Sequence, residues 1–157
     1  MATGLLHLHN ILRWVILILL LWSIFVAVSG WQGKRVFTAG DKRTWLFTLI
    51  FTHINLLVGL YLLFFGRYGI AVTDLPEGTN VMKSNFFRFF WVEHPVMMLI
   101  SVVLITIGYG KAKKPIPDVA KFKGAFWLFF IALLVILGSI PWPFRGIEIA
   151  RPLFPGM

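Results

Sequence analysis

Apolar residues run through this chain in four long blocks, separated by short polar and basic stretches. Between residues 1 and 33 only His7, His9 and Arg13 ionise, and residues 14–28 are apolar apart from Ser23. Residues 44–66 hold one imidazole, His53, and no formal charge; residues 89–110 hold Glu93 and His94, and residues 124–144 hold neither charge nor imidazole. Each block reaches the roughly 20 residues that a helix needs to cross a hydrocarbon core of about 30 Å. Barrel strands would instead alternate polar and apolar positions over about 10 residues. The pattern therefore predicts an all-α integral membrane protein. It is a single domain over residues 1–157, with helices over about 5–30, 43–66, 87–110 and 122–141. Short connections make it an up-down four-helix bundle in which the first and third helices are diagonal.

Composition sharpens this reading. Hydrophobic residues make up 59% of the 157 positions and charged residues 13%, against about 25% charged in soluble domains. Cysteine is absent, which excludes disulfides, thiolate zinc sites, iron–sulfur clusters and cysteine nucleophiles. A net charge of +9 would suit nucleic acid only on a polar, solvated face. Here the basic residues sit between apolar runs, so no nucleic-acid partner is expected and the partner is the lipid bilayer. Residues 31–43 carry Lys34, Arg35, Lys42 and Arg43 against Asp41, and residues 111–123 carry five lysines against Asp118. By the positive-inside rule these loops are cytoplasmic and both termini lie outside. The first block is read as a retained helix, because a signal peptide has basic residues ahead of a core of about 7–15 residues. Trp31, Trp45, Trp91, Trp127, Trp142 and Tyr109 fall near block ends, where an aromatic belt is expected. The connection over residues 67–88 has turn chemistry at 74–80, and residues 85–91 are expected in the outer interface. No hydrolase signature or phosphate-binding glycine loop is present.

Ionisable groups inside spans are costly and face the bundle interior, so they are the functional candidates: His9, Arg13, His53, Glu93 and His94, with His7 read as interfacial. Counted from the cytoplasmic helix ends, Arg13 and Glu93 lie at roughly 26 Å, His94 at roughly 24 Å, His9 at roughly 32 Å and His53 at roughly 14 Å. The matched depth of Arg13 and Glu93 predicts an ion pair across the bundle. His9 and Arg13 are four apart and share a face. Pro95 lacks an N–H and favours a helix start or kink at His94. Histidines on different helices of one bundle are where cofactor ligands converge. They permit haem between axial imidazoles, in a cavity lined by some of the 16 Phe and by small residues such as Gly59 and Ser101. They also permit His/Met ligation through Met98 or a proton relay; a non-haem metal at His9, His94 and Glu93 would want more carboxylates or a Glu-x-x-His spacing, and the sequence has neither. A haem-free accessory subunit of a larger complex needs no ligand at all.

Five segments taken together, residues 7–13 (HLHNILR), 37–41 (FTAGD), 51–54 (FTHI), 93–94 (EH) and 141–146 (PWPFRG), resemble the short four-helix membrane proteins that Bacteroidota genomes label as cytochrome B. That resemblance spans nearly the whole chain. It implies a bacterial inner-membrane electron-transfer protein or subunit, rather than a stand-alone enzyme, with both termini periplasmic. It further implies b haem held by His94 and either His53 or His9, and one haem rather than two because the fourth helix has no histidine. The redox partner it implies is the quinone pool, with a menaquinol near Arg13 and Glu93, or a larger respiratory complex.

Overall fold

The computed structural model describes residues 2–75 and 77–154; Pro76 of the expected turn, and Met157 at the carboxyl end expected outside, lie outside the described residues. Four helices dominate: α1 (Ala2–Gln32), α2 (Ala39–Phe65), α3 (Asn85–Lys113) and α4 (Asp118–Ser139). All four are long and apolar enough to cross a membrane, and the described residues contain no strand. Both α1 and α3 pack against α2 and α4, which makes them diagonal as expected. Outward faces carry apolar side chains such as Ile18, Trp22, Phe25, Leu57, Val103 and Leu134. An all-round apolar helix surface of this kind suits lipid rather than water.

The basic connections are ordered by two carboxylates. Thr38 and Asp41 form a capping box at the start of α2, satisfying backbone donors that the first turn leaves unpaired. Asp41 also takes two hydrogen bonds of 2.7 Å from Arg35, and this carboxylate holds the Arg35 guanidinium above its usual range. Asp118, in the first turn of α4, accepts the Phe37 N–H at 3.0 Å and the Lys121 ammonium at 2.9 Å. The first connection is thereby tied to the fourth helix.

Toward these connections the bundle is solid. Trp45, Phe122 and Phe129 are fully buried, with Trp45 meeting Phe122 and Phe129 edge-on at ring distances of 6.0 and 5.5 Å. Gly30 and Gly108 make room for those rings: a Cβ on either would come within 2.5 Å of Phe122 or Phe129. Buried Ser23 and Thr48 hydrogen-bond across α1 and α2 at 2.7 Å. Trp45 and Tyr109 thus belong to the core and not to an interfacial belt; Trp127, by contrast, is exposed. Proximity to the end of an apolar run does not report which way a side chain turns.

At the other end α3 is irregular. It begins at Asn85, so residues 85–91 are helical, and it widens into a π turn over Phe89–Glu93 before the α-helix resumes at His94. Pro95 offers no N–H, and a single wide turn just before it accommodates the missing bond. Beyond α4 the chain folds back over this end. The Arg151 N–H bonds the Pro141 carbonyl at 3.0 Å, Arg145 bonds the Gly138 carbonyl, and Phe154 stacks on Trp14 at 5.4 Å.

Candidate functional site

Between α1, α2 and α3, at the end away from the basic connections, lies a cavity of about 700 Å³ that the carboxyl-terminal segment borders through Arg151 and Pro152. His9 from α1 and His94 from α3 both line it. Their ring centres stand 6.3 Å apart, with the planes inclined at 70°. The two rings therefore differ in depth by at most 6.3 Å, whereas a residue count along straight helices sets them about 8 Å apart. Part of the difference is the 3-10 turn over Lys111–Lys113 at the end of α3, which lengthens that helix by roughly 6 Å.

The orientation of each ring has a local cause. His94 Nδ1 lies 2.8 Å from the Ser139 carbonyl at the end of α4. A carbonyl can only accept, so Nδ1 carries the proton and Nε2 keeps a free lone pair, the tautomer found in metal-ligating histidines. Phe89, 2% exposed, packs against the same ring at 6.0 Å. His9 rests on α2 at Gly59, where a Cβ would stand 3.1 Å from its Cε1. Its Nδ1 is buried without a hydrogen-bond partner. Glycine at position 59 lets the imidazole lie this close: a Cβ there would press on the ring, which would have to give by a few tenths of an ångström, and a longer side chain would crowd it further.

The other expected site residues are placed differently. His53 does not line the cavity; its Nδ1 lies 2.8 Å from the Leu49 carbonyl one turn back on its own helix, and the structure brings it to neither other histidine. The ion pair between Arg13 and Glu93 is not formed. Arg13 is buried and donates to the Leu153 carbonyl at 2.6 Å, which also accepts the Trp14 indole N–H at 3.0 Å. Glu93 is exposed and pairs with Arg88 at 2.8 Å. Neighbouring residues of a helix diverge by roughly 100°, so a residue next to inward-facing His94 turns outward. A residue five positions back is then its neighbour across the π turn. Matched depth says nothing about facing. Among the described residues no group of three or more His, Cys, Asp or Glu could hold a metal ion, so the non-haem site with Glu93 is not assembled.

Gly59, Ser101, Met98 and His7 line the cavity. Most phenylalanines do not: Phe86 and Phe90 do, while Phe122 and Phe129 fill the solid end. Three contributors had no signal within the apolar blocks. Ser139 acts through its carbonyl, which every residue possesses, and Arg67 and Arg151 belong to segments outside the spans. Comparison with family models, with curated proteins and with solved structures gives no match.

Proposed function

We propose that this chain is a membrane b-type cytochrome, in which His9 and His94 hold a single haem b and the protein passes single electrons. The observation that carries the reading is the pair of imidazoles from diagonal helices, 6.3 Å apart at their ring centres, on the wall of one cavity. Metal–imidazole bonds are about 2 Å long, so two imidazoles sharing one metal place their ring centres roughly 6 Å apart. A cavity of about 700 Å³ falls within the range of cofactor sites, about 300–1,000 Å³.

Haem b supplies a one-electron couple whose potential depends on axial ligands, hydrogen bonding and burial. The chain's own residues perform the rest. Ser139 fixes the His94 tautomer and Gly59 gives His9 room. Apolar walls including Leu56, Leu63 and Val102 exclude water. The quinone pool, through a menaquinol, or a larger respiratory complex supplies or removes the electrons in this reading. Arg13 and Glu93 do not form a joint site for it.

An optical spectrum of the detergent-purified protein tests the proposal. A Soret band with α and β bands sharpening on reduction is expected. A wild-type protein without haem, even when purified with its native partners, favours the accessory-subunit reading instead. The proposal also places the chain in a bacterial inner membrane with both termini periplasmic. Reporter fusions after Lys34 or Lys114 are then expected to behave as cytoplasmic, and the reverse pattern moves the histidine pair to the cytoplasmic side.

A further inference from the structure

The cavity wall has a charge imbalance. Arg13, Arg67 and Arg151 line it, whereas none of the chain's six carboxylate side chains does. Asp41, Glu93 and Asp118 are paired with Arg35, Arg88 and Lys121, and Asp74, Glu77 and Glu148 are exposed. Arg13 spends one nitrogen on the Leu153 carbonyl, and its Nε is buried with no partner. Arg151 reaches only carbonyls of its own turn, at 2.7 Å from Ala150, 3.3 Å from Glu148 and 3.4 Å from Ile149. Its guanidinium lies over Phe90 at 4.7 Å and Phe86 at 5.5 Å, and burial pushes it below the usual arginine range. Arg67 sits over the neighbouring Tyr68 ring at 5.3 Å, and Tyr68 in turn packs against Phe86 at 5.2 Å. These contacts bring both arginines to one aromatic corner beneath the carboxyl-terminal segment.

Arg13 is buried and Arg151 half-buried, while Arg67 adds an exposed guanidinium at the cavity's edge; cations held out of water without counter-charges are unfavourable unless an anion joins them, and guanidinium groups match carboxylates through two parallel hydrogen bonds. We infer that Arg67 and Arg151, backed by Arg13, form a carboxylate-binding subsite, so that the cavity selects a flat apolar ligand carrying acid groups along one edge. This inference deepens the haem reading and rests on the same cavity. The acid edge lies toward the carboxyl-terminal segment and the apolar edge toward the solid half of the bundle. Arg151 thereby makes that segment part of the binding site.

The test uses the full-length chain in detergent, produced under haem limitation and titrated with metal-free protoporphyrin IX, which needs no axial ligand. Fluorescence is expected to show the free acid binding about tenfold or more tightly than its dimethyl ester. Replacing both arginines (R67Q with R151Q) is expected to remove that preference while leaving ester binding unchanged. A thermal melt of the double variant confirms folding, and R67K with R151K is expected to restore part of the preference. Equal binding of acid and ester by wild type, or parallel weakening of both in the glutamine variant, overturns the inference. Oleate, an acid on a flexible chain, is expected to compete poorly; competition as strong as that of the porphyrin reassigns the subsite to lipid acids and overturns the planar-ligand part. Haem uptake without acid selectivity defeats this inference alone, and acid selectivity with histidine variants that keep their haem defeats the axial assignment alone.

Discussion

Purified His9→Leu and His94→Leu variants are each expected to lose haem absorbance, whereas His53→Leu is expected to keep a wild-type spectrum. Leucine approximates the volume of imidazole and is at home in an apolar wall, so the substitution removes a ligand with little change in packing. Of the three candidates only His9 and His94 line the cavity and come within 6.3 Å of each other at their ring centres, while His53 is turned to its own helix backbone. Haem content per protein, by pyridine haemochrome, is expected to fall at least tenfold in the two ligand variants. Gly59→Leu is expected to behave like His9→Leu without touching a ligand, because its Cβ alone would stand 3.1 Å from the His9 Cε1 and the rest of the branched side chain would crowd the ring further. Loss of haem in His53→Leu with retention in His9→Leu would restore the other pairing. Retention in all three would end the axial assignment.

The largest effect on stability is expected at Gly108. Its Cβ would approach Phe129 to 2.5 Å, and Phe129 is fully buried against Trp45, so the ring has no space into which to retreat. Gly108→Val is expected to cost about 1–3 kcal/mol by overpacking. Gly30→Val meets the same obstacle at Phe122. Thermal unfolding in one detergent, followed by tryptophan fluorescence, checks both. Gly110→Ala, with nothing within 4 Å of its Cβ, is the matched control and is expected to be neutral or slightly stabilising. Equal melting temperatures for Gly108→Val and Gly110→Ala would contradict the tight packing described for the basic end.

Periodicity and run length made the four helices and their diagonal arrangement legible, because continuous apolar length and loop shortness are local properties of the chain. The shared face of His9 and Arg13 was legible for the same reason: four residues make about one helical turn, and both side chains line the cavity. Pro95 likewise announced the irregular turn before it. The histidine partner of His94 was not legible, since level depends on where helices end and how they tilt. Glu93 shows the complementary limit: depth matched Arg13, but rotation about the α3 axis, set by the neighbouring His94, sent it outward to Arg88. Nor could hydrophobic pattern reveal that a short, proline-containing tail would return its Leu153 carbonyl to Arg13 and Trp14.

The contrast between a filled and an open end of one bundle has a consequence for how opening motions are distributed. Residues sealed around Trp45, Phe122 and Phe129 can exchange their amide protons only through large-scale unfolding. The cavity walls near His9 on α1 and Gly59 on α2 have fewer neighbours to break and open in smaller units. A ligand that binds only the closed walls slows that local exchange in proportion to its occupancy, while leaving the far end unchanged. Amide protection near His9 and Gly59, measured by mass spectrometry, therefore serves as an occupancy gauge that is independent of colour.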